Sequence, residues 1–280
     1  MKLLRVGQKG KEKPATIDKN GKLRDISSYI SDLNPDFLNF ETFSKLESLD
    51  WSSLPELPTG ERIGSCITKP GKFVAIGLNY SDHAAETGAA VPTEPITFMK
   101  ATSSINGPND DIEIVPGSKK LDWEVELGIV IGKETKHITQ DQSQDHILGY
   151  CLVNDISERE WQIEKMGQWV KGKSHDTYGP IGPYLVTKDE IPDINNLKMS
   201  LDVNGKRMQT GNTSTMIFNV DYIVSYLSKF MSLQAGDIIT TGTPPGVGMG
   251  MKPQQFLKIG DTMQLSIENL GEQNSKVVAL

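Results

Sequence analysis

The sequence predicts a mostly β protein with helices attached, an α+β body rolled or sandwiched about a core and preceded by a small α+β module. Three observations carry that expectation. From residue 73 onward the chain breaks into short apolar runs, at 73–77, 96–99, 123–131, 148–153, 184–186, 198–203, 237–241 and 262–267, punctuated by glycine and proline. The best helical patterns in that body are two, at 157–166 and at 220–230, the second with Tyr222, Ile223, Tyr226 and Leu227 on one face. Before it, Leu54, Pro55, Leu57, Pro58 and Gly60 make a linker, so the chain divides into a module at 1–66 and a body at 67–280.

The leading module opens with strands at 2–6 and 14–18. Asn20-Gly21 then joins the second of these to a third at 22–25, because both residues tolerate the positive φ of a tight hairpin turn. Helix-compatible polar pieces follow around 27–33 and 41–49. Within the body, Asn204-Gly205 is a second hairpin signal, between 201–203 and 206–209.

At 280 residues the chain is long enough to bury a substantial core. A formal net charge of -7 and the absence of any basic run argue against a nucleic-acid partner held through phosphates. Cys66 and Cys151 are the only cysteines, too few for a disulfide framework and too far apart for a zinc site, and they read as buried small hydrophobes. No window has the length and apolarity of a signal peptide core or a membrane span, and a cytoplasmic protein with no membrane partner is expected.

The stretch 121–131 organises the chemistry. As a strand, its period of two puts Trp123, Val125, Leu127, Ile129 and Ile131 on one face and Asp122, Glu124 and Glu126 on the other. Two glutamates at i and i+2 lie roughly 6–7 Å apart and repel. Water, a basic partner or a shared cation would each relieve them. A solvated polar face is what an ordinary antiparallel strand supplies.

Four further stretches bear on function. At 77–88 a strand leads into a short helical segment that Asn79 or Ser81 could cap, with His83 and Glu86 at i and i+3 on one face. A carboxylate beside an imidazole fixes its tautomer and raises its basicity, as a water-activating base requires. At 149–162 an apolar strand ends in Asn154-Asp155, where Asp155 could cap a following helix that points Arg159 and Gln162 in one direction. Taken together, Glu124, Glu126 and Asp155 would offer three hard oxygen ligands, a set suited to Mg²⁺ or Mn²⁺ and not to zinc. Residues 167–174 match the spelling of a phosphate-binding loop, but bulky Trp169 and Val170, a helical lead-in and Gly179-Pro180 oppose it. Residues 237–250 run from a strand into a Gly/Pro-rich loop without the spacing of a dinucleotide site. His137, His146 and His175 read as surface or structural residues.

In order, the residues at 77–86, 98–100, 122–128, 154–162, 172–174 and 241–248 resemble the fumarylacetoacetate hydrolase superfamily over 70–280. Met1 to Gly7 and Lys22 to Ile26 are further similar to its bacterial branch labelled ureidoglycolate lyase or 2,4-diketo-3-deoxy-L-rhamnonate (fuconate) hydrolase. The resemblance implies a mixed β-roll body, a homodimer, and one Mg²⁺ or Mn²⁺ held by Glu124, Glu126 and Asp155. It also implies a His83–Glu86 dyad, Lys173 near the reacting oxygens, and a small keto-acid substrate. His175 stands where an aromatic Phe is common in the family.

The implied activity is hydrolysis of a C–C bond in acylpyruvates or 2,4-diketo-3-deoxy sugar acids to pyruvate and a carboxylic acid. His83, oriented by Glu86, would deprotonate the attacking water, and Lys173 would stabilise the charge left when the bond breaks. Tyr80, Lys100, Arg159, Gln162 and Thr243 are the residues expected to hold the rest of the substrate. Competing expectations are a decarboxylase, isomerase or lyase on the same scaffold, acting for example on oxaloacetate or ureidoglycolate, a nucleotide-binding loop at 167–174, and a relative that only binds its ligand.

Overall fold

The computed structural model describes residues 1–82 and 90–280. Its main sheet has nine strands, in the spatial order Leu23–Asp25, Lys13–Ile17, Lys2–Val6, Leu185–Thr187, Ile147–Asn154, Val125–Ile131, Ile238–Thr240, Phe73–Gly77 and Ile96–Lys100. All neighbours are antiparallel except Phe73–Gly77 and Ile238–Thr240, which run parallel. A five-stranded sheet is formed by Lys206–Asn212, Lys198–Val203, Thr262–Ile267, Gly271–Ala279 and Ile112–Ile114. The expected mostly β architecture with few helices is what the chain adopts.

Period-two alternation sorts the central strand between two cores. Val125, Leu127, Ile129 and Ile131 join Leu201, Leu265 and Ile267 of the five-stranded sheet in one hydrophobic cluster. On the opposite face Val130, Leu148 and Val153 pack against Leu3, Ile26, Leu33, Leu38 and Phe43 of the leading segment. Both faces of Val125–Ile131 are therefore buried, and so are Asp122, Glu124 and Glu126. The solvated polar face expected of a half-buried strand is absent because the strand lies deep inside a wide sheet covered on both sides.

The leading residues share that sheet. Lys2–Val6 pairs with Leu185–Thr187 and extends the main sheet by three strands, and the core beneath them contains residues from both sides of the linker. Three short strands alone could not bury a face; joined to the larger sheet they can. The Pro/Gly stretch at 54–60 thus marks a change of texture inside one continuous sheet and core.

The hairpin signals hold. Asn204 and Gly205 adopt φ of 50° and 74° between antiparallel strands, and 18–22 turns Lys13–Ile17 into Leu23–Asp25. Helices form at Phe40–Glu47 and Val220–Leu227, where Asn39 and Asn219 accept from the backbone N–H groups of Thr42 and Tyr222 at 2.9 Å. Two expected helices do not form: 27–33 is a series of turns, and 157–166 is a short strand, Ser157–Glu158, followed by one π-helical turn at Glu160–Glu164. Cys66 and Cys151 are buried and free, with burial pushing the Cys66 thiol up. Among the described residues no helix is long and apolar enough to cross a membrane.

Gly149 sits where the leading strands join the sheet, paired with Thr187. A Cβ there would lie 2.3 Å from the Val186 carbonyl oxygen. Gly149→Ala is expected to cost about 1–3 kcal/mol, lowering the thermal midpoint by about 2–4 °C per kcal/mol. An unchanged midpoint in a thermal unfolding scan would show that this joint yields freely.

Candidate active site

The strand register assembles an acidic centre. Val125 lies opposite Asn154 and Glu126 opposite Val153, so the next residues outward, Glu124 and Asp155, face each other. The Asp155 N–H donates to the Glu124 carbonyl at 2.9 Å, and the Asn154 side-chain oxygen accepts from the Glu124 N–H at 3.2 Å. These backbone ties fix two acids from separate strands side by side. One carboxylate oxygen each from Glu124, Glu126 and Asp155 lies within 4.8 Å of the others, and all three residues are buried.

Three buried cations offset this charge. Lys173 Nζ lies 2.7 Å from both Glu124 Oε2 and Asp155 Oδ2. Lys100 Nζ reaches Asp155 Oδ1 at 2.5 Å and also donates to the Lys173 carbonyl. Arg159 bridges Asp122, at 2.8 Å, and Glu124, at 2.7 Å, and donates to Gln162 Oε1 at 3.0 Å. Burial alone would raise the Glu124 carboxyl, but Lys173 and Arg159 outweigh it and hold the group far below the usual range. Burial lowers Lys173 in the same way, and Asp155 and Glu124 reverse that, keeping it charged.

Glu126 stands apart. Its Oε2 accepts from Thr240 Oγ1 and, at 2.8 Å, from the Gly242 N–H, while its Oε1 accepts from no described group. Burial and the charges of Asp155 and Glu124 push its carboxyl well above the ordinary value. Among the described residues no basic side chain reaches it. Three hard oxygen donors converging with one carboxylate lacking a cation is the arrangement that a divalent metal completes, so the residues fit Mg²⁺ or Mn²⁺.

Glu124, Glu126, Arg159 and Lys173 face a cavity of about 220 Å³. Leu78, Phe98, Ile163, Trp169 and Met249 give it an apolar wall, beside the polar side chains of Gln162 and Thr243. Trp169 packs edge-on to Phe98 with ring centroids 5.1 Å apart, and Lys173 Nζ lies 5.2 Å from the Phe98 ring centre. The seat of Trp169 requires glycine at position 77, where a Cβ would meet the indole at 2.6 Å.

Of the residues expected to contact substrate, Arg159, Gln162 and Thr243 line the cavity. The Thr243 hydroxyl is already engaged, donating to the Val125 carbonyl at 2.9 Å and accepting from Gln209 at 2.8 Å. Lys100 and Tyr80 do not line it. Lys100 is buried under Asp155 as its counter-ion, and the Tyr80 hydroxyl points to the Met199 sulfur at 3.2 Å inside the core. The Asn79 amide ties the carbonyls of Phe218 and Thr241, and its oxygen accepts from the Phe218 N–H; the helix it was expected to cap runs into residues outside those described. Asp155 caps no helix, since a strand follows it. His83 and Glu86 lie outside the described residues.

The look-alike phosphate loop has a structural cause. Gly172 is in the four-residue helix Val170–Lys173, where a Cβ would meet the Glu158 carbonyl at 2.4 Å, so glycine permits close packing. Lys173 is spent on carboxylates that would repel a phosphate. Sequence reasoning missed other members of the site. Asp122 accepts from the N–H groups of Gly248 and Met249, at 2.7 and 3.0 Å, as well as from Arg159, tying the Gly/Pro-rich loop to the charge cluster. Its i, i+2 spacing to Glu124 was the available signal. Phe98 and Trp169 carried none, because nothing local marks an aromatic side chain as cavity wall.

The family model described as fumarylacetoacetate (FAA) hydrolase C-terminal matches residues 72–278. A Burkholderia ambifaria protein named "Putative hydrolase" is 56% identical over 274 residues, covering 98% of this chain and 97% of its own. The solved fumarylacetoacetate hydrolase of the psychrophile Exiguobacterium antarcticum is 34% identical and covers both chains fully, with a TM-score of 0.89. Maleylpyruvate hydrolase from Sphingobium sp. SYK-6, solved in complex with manganese(II) ion and pyruvate, is 25% identical over 100% of this chain and 99% of its own, with a TM-score of 0.84.

Removing one partner from a buried ion pair leaves the other uncompensated. Lys100→Met is therefore expected to lose about 3–5 kcal/mol of stability in denaturant titrations. A loss under about 1 kcal/mol, the range of a surface pair, would contradict its place beneath Asp155.

Proposed function

The chain belongs to the fumarylacetoacetate hydrolase family, and we propose that it is a divalent-metal-dependent hydrolase that cleaves a C–C bond of 2,4-dioxo acids, acylpyruvates or 2,4-diketo-3-deoxy sugar acids, to pyruvate and a carboxylic acid. The observation that carries this is the buried trio of Glu124, Glu126 and Asp155, two of them in contact with Lys173 and two facing a cavity. The relative solved with manganese(II) and pyruvate supports both the ion and the product.

Glu124, Glu126 and Asp155 would hold the ion. Bound there, it supplies Lewis acidity and positive charge beside the substrate's carboxylate and 2-oxo group. The chain's own residues account for the rest. Lys173, held charged by Asp155 and Glu124, offers a fixed cation where negative charge develops. Phe98 and Trp169 exclude bulk water from that point, which strengthens each charge interaction there. To His83 we assign, on its sequence pattern with Glu86, the proton of the water that adds to C4. The C3–C4 pair then passes to C3, which takes a proton to become the methyl group of pyruvate, while the acyl portion leaves as the acid.

Product analysis by NMR tests the assignment, using acetylpyruvate, a 2,4-diketo-3-deoxy sugar acid and oxaloacetate with Mg²⁺ and after chelation. Metal-dependent pyruvate plus a carboxylic acid is the expected result. Carbon dioxide release from oxaloacetate alone would instead make it a decarboxylase. Glu126→Gln should abolish turnover and the thermal stabilisation by Mn²⁺, which at a hundredfold excess over Kd amounts to about 2.7 kcal/mol in the parent protein. If full activity survives chelation, the metal is not needed.

His83→Ala should slow hydrolysis by about 10²–10⁴-fold while leaving Mn²⁺ affinity in place. Hydrolysis at the parent rate would remove His83 from the role of base.

A further inference from the structure

One wall of the cavity is carried by the same short helix that carries its cation. Trp169 precedes the helix Val170–Lys173 with helical φ and ψ of -57° and -35°, so its side chain and that of Lys173, four residues on, share a face, and both line the cavity. The helix is pinned. Lys173 Nζ is held by Glu124 and Asp155, its carbonyl accepts from Lys100, and Gly172 packs on the Glu158 carbonyl and on Gln162.

The indole is seated as closely. A Cβ on Gly77 would come within 2.6 and 3.0 Å of its Cζ3 and Cη2 atoms, so the ring rests on bare backbone. Gly77 has no positive φ that would itself call for glycine. It pairs with Ile96 at the end of Phe73–Gly77, and its missing side chain is room for the ring. Phe98, two residues along the partner strand, meets the indole edge-on. At about 220 Å³ the cavity is smaller than the roughly 300–1,000 Å³ of sites that take drug-sized ligands, and the indole is the largest side chain lining it.

We infer that, on the reading of this cavity as the metal-dependent 2-oxo acid site proposed above, Trp169 fixes how much bulk a substrate can carry beyond its 2-oxo acid head. With the head at the acids and Lys173, the tail runs along the wall toward the indole. A short tail fits beside the ring, and a longer one meets it. Gly77 acts through Trp169, as the positioning residue of the pair.

2-Oxobutanoate and 2-oxooctanoate test this, since both carry one carboxylate, differ in tail length alone and lack the 4-oxo group that hydrolysis needs. In calorimetric titration of the Mn²⁺-loaded protein, Trp169→Ala should raise the affinity for 2-oxooctanoate relative to 2-oxobutanoate by on the order of tenfold or more. Where the alanine variant fails to fold, Trp169→Phe keeps a ring against Phe98 and should move the ratio the same way by a smaller factor. Gly77→Ala, which pushes the indole off its seat and into the cavity, should lower the ratio. In the Trp169→Ala background the same change should alter it by no more than about twofold. A tryptophan that only held the fold would, on removal, weaken both acids alike and leave the ratio in place. A ratio unmoved by Trp169→Ala, a Gly77→Ala effect that persists without the indole, or binding of neither acid overturns the inference. The hydrolase assignment fails separately: it falls if the ratio responds as expected but no 2,4-dioxo acid is cleaved.

Discussion

Four carboxylates are buried beside one another, and the rest of the molecule is arranged around that cost. Like charges at this spacing in a low-dielectric interior repel strongly, and each would otherwise protonate or draw in water. Lys100, Arg159 and Lys173 come from three separate segments to offset them. Lys100 ends an edge strand of the main sheet, Arg159 precedes a π-helical turn, and Lys173 closes a four-residue helix. The one carboxylate without a cation, Glu126, is held by a hydroxyl and a backbone N–H instead. Such a centre forms only in the completed fold.

Its precision comes from backbone ties. The pairing of Val125–Ile131 with Ile147–Asn154 places Glu124 against Asp155, and a shift of one residue would turn the acids into the opposite core. The loop after Ile238–Thr240 contributes the Gly242 N–H to Glu126 and the Gly248 and Met249 N–H groups to Asp122. That loop must bring its backbone close. At Gly248 a Cβ would lie 1.9 Å from the Gln255 carbonyl oxygen and 2.8 Å from Asp122 Oδ1.

The cavity joins two opposed environments. At one end lie the hard oxygens and fixed cations of Glu124, Glu126, Arg159 and Lys173; at the other lie the aromatic and aliphatic side chains of Phe98, Trp169, Ile163 and Met249.

The amino-acid sequence by itself determined the fold class, both Asn-Gly hairpins, the free buried cysteines and the i, i+2 pair Glu124 and Glu126, while the register of two strands brought Asp155 beside them. Each rests on a short-range property: apolar runs bounded by glycine and proline, tolerance of positive φ, or acids at fixed spacing along a strand. Tertiary structure decided the rest. It buried the polar face of the central strand, because covering by the leading segment is a contact between distant parts of the chain. It merged residues 1–66 with the main sheet through the pairing of Lys2–Val6 with Leu185–Thr187, which no linker composition reveals. It turned 157–166 into a strand and a single turn, since Gly172 packs against Glu158 and Gln162 where a regular helix was expected. It also made Lys100 a counter-ion and Trp169 a wall. A side chain's type states what it can do, but its partner is set by residues far away in the chain, and partnership is what separates a solvated glutamate from a metal ligand.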